Sequence, residues 1–334
     1  MSRFYFDRFR EALQAYAEGV HRLGAPVEPV QLAAAQAQLG QPLPPTYRDF
    51  LASWDGVELF HDELRVWGAQ ACAAENLRAR AQEQWPPAMI LCGVNAGGDR
   101  FAIEAGGANA VVHEFESETG LRWVAASCFA RWLERVMAEG SLIYDREGEF
   151  KSGRFEGEGL SAPLRLKRAR RAAKIDPDAS KVRYELGKAL ADAGEPAAAE
   201  RELARAVELD PGAIWAWFDL GRLRLSERDF SGAEAAFVRA TAADPEFEHA
   251  GYFAAWAARA ALARHDADAA AAHRARALAL DPALPARQVL AAQHELAAGA
   301  RREALELVEL ALAVSPRDMQ ALELKRRASS GRAR

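Results

Sequence analysis

An Asp-Pro dipeptide recurs along the second half of the chain and limits what that half can fold into. It stands at Asp176-Pro177, Asp210-Pro211, Asp244-Pro245 and Asp281-Pro282, with Ser315-Pro316 closing the series. The spacings are 34, 34, 37 and 34 residues. Proline cannot continue a helix interior but suits a first turn, so each dipeptide ends one helix and opens the next unit. A period of this length holds two helices and their turns, and such a unit buries its apolar face only against neighbours. Alanine fits this picture: the chain has 75, of which 50 follow residue 145. Small side chains let packed helices approach closely.

Inside the units the pattern resembles the tetratricopeptide repeat. One unit carries Arg183, Leu186, Gly187, Leu190, Ala199, Leu203 and Pro211; the next carries Trp217, Leu220, Gly221, Ala233, Phe237 and Pro245. Small Gly and Ala sites admit a neighbouring helix, and large residues fill the gap. The unit from Glu248 has three extra residues and reads Ala254-Ala255 in place of Leu-Gly, which predicts a first helix over 249–264, a turn longer. The unit from Pro285 keeps Ala304, Val308, Ala311 and Pro316, and 318–327 reads as a closing helix. Ala162–Ile175 reads as a lone helix before the first full unit.

The first half has another character. Residues 1–145 hold 12 basic and 19 acidic residues, whereas 146–334 hold 31 and 29; all six lysines lie in the second part. The net charge of −5 therefore averages an acidic and a slightly basic segment. Residues 3–23 carry Phe6, Phe9, Leu13, Tyr16, Val20 and Leu23 on one stripe and read as an amphipathic helix. Helices are expected at 29–39, 46–54 and 127–138, and strands at about 64–67, 88–94, 100–104, 110–115 and 121–125. Asp55-Gly56, Gly97-Gly98-Asp99 and Gly106-Gly107 read as turns.

A second resemblance rests on Leu39-Gly40, Leu43-Pro44, Tyr47, Phe50-Leu51 and Asp55-Gly56. This ordered set, with the hairpin "GVNAGGDRFAIE" and the closing "WVAASCFARWLERV", is similar to the SUKH superfamily, the Smi/Knr-like fold, over roughly residues 25–140. The resemblance implies a mostly antiparallel sheet flanked by helices and used for binding. It further implies immunity proteins that neutralise bacterial toxins, or scaffolds in fungal cell-wall signalling. The expected architecture is an α+β SUKH-like domain over 1–145, a linker over 146–160, and an all-α tetratricopeptide solenoid over 161–328 with about four repeats and a capping helix.

Catalytic patterns are sparse. Gly93, Gly97 and Gly98 with Asp99 lack the lysine and helix of a phosphate loop, and read as a hairpin turn. His113 and Glu114 are adjacent in a strand and so diverge, which argues against a shared metal. His61-Asp62-Glu63 reads as a solvated loop. Cys72, Cys92 and Cys128 are too far apart for metal-ligand spacing, and Cys128 reads as a structural thiol. His249, His265, His273 and His294 show no metalloprotease spacing. The sequence thus predicts no enzyme, metal or cofactor. It shows no signal-peptide core and no run of about 18 apolar residues, so a cytoplasmic protein without a membrane partner is expected.

Binding is the class that remains. By resemblance, the first helix of each repeat lines a concave groove. The groove positions are Lys181, Tyr184 and Lys188, then Trp215, Phe218 and Arg222, then His249, Tyr252, Trp256 and Arg259. Alternating aromatics and cations suit a peptide or protein with acidic groups. The other reading has the same aromatics packing internally, against the C-terminal helix or the sheet domain. The asparagine clamp of some relatives is not expected, since no asparagine follows Asn109. The basic run Arg165, Lys167, Arg168, Arg170, Arg171 and Lys174 lies beside Glu147, Glu149, Glu156 and Glu158. It reads as a solvated or ion-paired face, so a nucleic-acid partner is not expected. In the first half, Asp55, Glu58, Asp62, Glu63, Glu114 and Glu116, with Glu118, are the candidate acidic face for a basic toxin. The expected function is protein binding, as a toxin-immunity factor or alternatively as a regulatory scaffold.

Overall fold

The computed structural model describes residues 6–83, 85–106, 110–157 and 159–330. Residues 3–5 of the first expected helix, Gly107 of the expected turn, Asn109 and Glu158 lie outside the described residues. The chain forms two compact units, Met1–Asp210 and Pro211–Arg334.

The first unit begins with α1 (Asp7–Leu13), β1 (Arg22–Leu23), α2 (Pro29–Leu39) and α3 (Pro45–Leu51). Then come β2 (Val57–Leu59), β3 (Leu64–Val66), α4 (Ala69–Glu83), β4 (Met89–Asn95), β5 (Arg100–Glu104), β6 (Val112–Phe115), β7 (Arg122–Ala126) and α5 (Phe129–Ile143). Strands β1 to β7 form one antiparallel meander in chain order. A small hairpin, β8 (Phe155–Glu156) and β9 (Gly159–Leu160), leads to α6 (Ala162–Ile175), α7 (Ser180–Asp192) and α8 (Pro196–Leu209). The expected α+β sheet domain followed by helices is what is found.

Cross-strand partners share a sheet face. Val57, Val66, Gly93, Phe101, Glu114 and Trp123 therefore point one way, and Glu58, Arg65, Val94, Arg100, Phe115 and Arg122 the other. The first face carries the main core, where Phe101 meets Trp132 of α5 at 4.8 Å. On the second face, Ala79 of α4 and the nearby Trp85 cover Leu91 and Ala102.

Strands β1 and β2 and the β8–β9 hairpin have no counterpart in the sequence reading, and the helices differ from it as well. The helix expected over 3–23 stops at Leu13, because the chain beyond turns to bond the Ala17 amide to the Arg146 carbonyl at 2.8 Å. Phe6, Phe9, Leu13 and Val20 are buried nonetheless. Helix α4 has no counterpart in the sequence reading, because its buried face is interrupted by Asn76. That side chain is fully buried, accepts from the Leu91 amide at 2.9 Å and donates to the Leu91 carbonyl at 2.8 Å. A polar residue clamping β4 erases the apolar stripe that marks a helix.

The second unit is helical: α9 (Ile214–Ser226), α10 (Phe230–Ala243), α11 (Ala250–Ala263), α12 (Ala267–Leu280), α13 (Leu284–Ala297), α14 (Arg301–Val314) and α15 (Met319–Ser329). The small repeat position is sterically required: a Cβ at Gly221 would lie 2.6 Å from the Phe237 ring. The three extra residues do not lengthen α11 by a turn. They fall mainly in the loop before it, so the repeat register advances by 37 and buried Ala233 is matched by buried Ala270. In that register Ala258, not Ala255, stands where Gly221 did. Helix α10 packs on α11, and α14 packs on both α11 and α12.

Candidate protein-binding surfaces

In the second unit the aromatic positions gather into one cluster. Trp215 meets Phe218, Phe253 and His249 at 5.4–5.6 Å between ring centres. Phe218 is buried and reaches Tyr252 at 5.6 Å and Trp256 at 5.9 Å. Burial raises the Tyr252 phenol above its ordinary value, against the charge of nearby Arg222. Trp256 is buried, and its indole is flanked by two guanidinium groups, Arg222 at 5.2 Å and Arg259 at 4.8 Å.

Both arginines reach α14. Arg222 Nη2 lies 2.8 Å from Glu306 Oε1, and Arg259 Nη2 lies 2.7 Å from Glu309 Oε2. Lys325 of α15 approaches Glu309 at 3.6 Å. Beside these pairs a cavity of about 590 Å3 opens, lined also by Leu225, Leu305, Arg301 and Arg302. Four arginines face two glutamates there, so the cavity keeps a positive excess.

The three α7 positions have a different environment. Lys181 Nζ lies 2.6 Å from Glu114 Oε1 and 3.7 Å from Glu116. Tyr184 stacks on Trp123 of β7 at 4.7 Å, and Lys188 lies 5.3 Å over the Tyr184 ring. The sheet of the first unit covers this helix face, so Lys181 and Tyr184 do not line an open groove. Around them runs a charged seam: buried Arg135 pairs with Glu139 at 3.1 Å, and Arg168 bridges Glu139 and Glu185 at 3.8 and 3.7 Å. Burial raises the Glu114 carboxyl above its ordinary value, despite the attraction of Lys181.

The six acidic candidates do not share a face. Glu58 and Glu114 lie on opposite sides of the sheet and four strands apart. Glu114 is buried beneath Lys181. Glu58 and Asp62 are neutralised by arginines: Arg22 lies 3.0 Å from Glu58, and Arg65 lies 3.0 Å from Glu58 and 3.5 Å from Asp62. Asp55 Oδ1 accepts the Ala69 amide at 2.6 Å and so caps α4. Glu63 is exposed, and Glu116 is half-buried near Lys181.

The remaining chemistry-bearing groups are accounted for locally. His113 is buried and meets Glu104 at 2.9 Å, on the sheet face opposite Glu114. Burial pushes the Cys72 thiol up to about 12 and raises Cys92 strongly, which removes both as thiolate nucleophiles. Cys128 is the half-buried residue before α5. Among the described residues no group of three or more His, Cys, Asp or Glu side chains is placed to hold a metal ion. Among them, too, no helix is long and apolar enough to cross a membrane.

Sequence reasoning missed Glu306, Glu309, Arg301 and Arg302. A partial signal existed: Arg222 and Arg259 are repeat-equivalent, and α14 carries Glu303, Glu306 and Glu309 at three-residue spacing, which puts neighbouring glutamates on one helix face. That this face meets the arginines follows only from α14 packing on α11.

Residues 26–135 match the SMI1 / KNR4 family (SUKH-1), and residues 190–257 match the tetratricopeptide repeat. The chain thus carries a SUKH-type domain followed by tetratricopeptide repeats. No curated protein matches it. Similar solved structures include TTC0263, a thermophilic TPR protein in Thermus thermophilus, at 20% identity and TM-score 0.34, covering 51% of this chain and 89% of that one. MamA from Desulfovibrio magneticus RS-1 matches at 18% identity and TM-score 0.34, over 48% of this chain and 88% of its own. YrrB, described as a TPR protein with an unusual peptide-binding site, matches at 19% identity and TM-score 0.32, over 48% and 81%.

Proposed function

We propose that this pairing of a SUKH-type domain with tetratricopeptide repeats makes a non-enzymatic, cytoplasmic protein-binding protein. Its second unit recognises an acidic helical segment of a protein partner through Arg222 and Arg259, which pack on the buried Trp256 ring. One observation supports this most: the two guanidinium groups flanking Trp256 each already hold a carboxylate from a helix, Glu306 and Glu309 of α14. Charge-assisted pairs of this kind are what the carboxylates of an acidic helix require. The cavity next to them retains Arg301 and Arg302 for further carboxylates.

The test is anisotropy of a fluorescein-labelled helical peptide with glutamates three residues apart, titrated with the full chain. Replacing Arg222 and Arg259 by Gln should weaken binding about tenfold or more. Unchanged affinity, or no binding of the acidic peptide by the parent chain, overturns the reading.

For the first unit the family match supports recognition of a protein partner as a toxin-immunity factor, with a regulatory scaffold as the alternative. The arginine-neutralised acids at Glu58 and Asp62 give no broad acidic field, so a basic toxin would have to be met by shape as well as charge. Protection of cells expressing a toxin encoded beside this chain would favour immunity; its absence would favour the scaffold.

A further inference from the structure

We propose that a cavity in the first unit, between α1, α5 and α6, binds a phosphate monoester with an apolar or aromatic body. The cavity measures about 600 Å3, a size suited to a small molecule. Its apolar lining includes Tyr16, Met137, Tyr144 and Ile175. Five cations line it, Arg8, Arg146, Lys151, Arg171 and Lys174, against two carboxylates, Glu134 and Asp145.

Glu134 is paired with one of these five cations, and Asp145 is taken up by its own turn. Glu134 accepts from Arg8 at 2.7 Å. Asp145 Oδ1 accepts the backbone amides of Glu147 and Glu149 at 3.0 and 2.9 Å, closing its own turn. Among the described residues, Arg146, Lys151, Arg171 and Lys174 have no carboxylate at ion-pair distance.

Two of these cations are held in place. Arg171 Nη1 donates to Ser141 Oγ at 3.0 Å, and Lys151 Nζ donates to the Ser141 carbonyl at 2.7 Å. The Ser141 hydroxyl in turn donates to the Ala138 carbonyl at 2.8 Å, which fixes its lone pairs. One residue at the end of α5 thus fixes an ammonium and a guanidinium at one corner, each with N–H donors left over. A dianionic phosphate with three free oxygens uses several such donors at once, whereas a carboxylate uses fewer.

Along α6 the arginine left without a carboxylate among the described residues, Arg171, is the one that lines this cavity. The other arginines of α6 face away and are paired: Arg165 with Asp192 at 3.2 Å, Arg170 with Glu195 at 2.9 Å, and Arg168 with Glu139 and Glu185. A nucleic acid needs cations along an extended track. Here they converge on one apolar-walled space, which points to a compact anion.

The experiment is calorimetric titration of the full chain with phenyl phosphate, inorganic phosphate, benzoate and phenol. Phenyl phosphate should bind about tenfold more tightly than inorganic phosphate or benzoate, and phenol should not bind. Arg171→Gln with Lys174→Gln should lose about tenfold or more, and so should Arg146→Gln on its exposed turn, whereas Lys167→Gln on the same helix should bind like the parent. Absence of phenyl phosphate binding at millimolar concentration overturns the proposal, as does full affinity in both the Arg171/Lys174 variant and Arg146→Gln. The site lies in the first unit, so its failure leaves the peptide reading of the second untouched.

Discussion

The carboxylate of Asp176 accepts two hydrogen bonds from Ser127, 49 residues earlier in the chain. Oδ2 takes the Ser127 amide at 2.8 Å and Oδ1 takes its hydroxyl at 2.6 Å. Asp176 is fully buried and also ends α6, while Ser127 sits just before α5. The first Asp-Pro of the repeat series is therefore a bolt between the sheet domain and the helices that follow. Asp176→Ala should destabilise the chain by about 2–4 kcal/mol, because the two Ser127 donors and the Arg131 guanidinium lose a charged acceptor. Ser127→Ala should cost about 1 kcal/mol, and Asp178→Ala, whose pairs are at the surface, less than that. Urea midpoints of the three variants check the ranking.

Lys181 and Glu114 form the second such connection. Removing the ammonium by Lys181→Met leaves a buried carboxylate unpaired, a change that typically costs about 3–5 kcal/mol. Burial already holds the Glu114 carboxyl above its ordinary value. The folded chain thus binds this proton more readily than the unfolded one, and stability from it falls as pH rises from the ordinary carboxylate range through the raised value. Lys181→Met should therefore be most damaging at pH 7 and should recover toward the parent at pH 5. Adding Glu114→Gln should restore most of the loss at pH 7. A double-mutant cycle of urea midpoints at both pH values measures it.

These two connections mark where sequence reasoning ends. The repeat was legible because proline punctuates it and because a residue like Gly221 must be small beneath Phe237. Leu39-Gly40, Tyr47 and Asp55-Gly56 were legible for the same local reason, since they set helix ends, core and turn. Lys181 and Tyr184 were not. Their helix position equals that of a groove residue, but what covers it is β6 and β7; the Lys181–Glu114 pair spans 67 residues of sequence. The acidic set failed similarly: strand alternation places Glu58 and Glu114 on opposite faces only once the strand register is known.

His21 gives the first unit an acid-sensitive contact. Its Nδ1 accepts the Phe60 amide at 3.2 Å, and its ring meets Tyr16 and Phe60 at 4.8 Å. Burial, aided by the charge of His61, lowers its pKa to about 4 from 6.5. The unfolded chain therefore binds the proton first, so the stabilisation is complete above pH 6.5 and is lost as pH falls toward 4. With partial exposure allowed for, the loss is about 1–2 kcal/mol. His21→Asn keeps an acceptor but does not titrate, so its Tm should fall less than the parent's between pH 6.5 and 4.5. Identical slopes in thermal melts would remove His21 as the cause.

Helix α14 already holds the carboxylate sites that an acidic partner would use, so it should act as a competitor. Glu306 and Glu309 pair with arginines that remain partly exposed, and such pairs contribute only about 0.2–1 kcal/mol each. Glu306→Gln with Glu309→Gln should therefore lower the Tm slightly while freeing Arg222 and Arg259. Affinity for the acidic helical peptide should rise several-fold over the parent, and the gain should shrink at high salt as the arginines are screened. If the double variant instead stays folded and binds the peptide no better, the two arginines are not the peptide site. Anisotropy titrations at 50 mM and 500 mM salt, beside a thermal melt of each chain, separate the two outcomes.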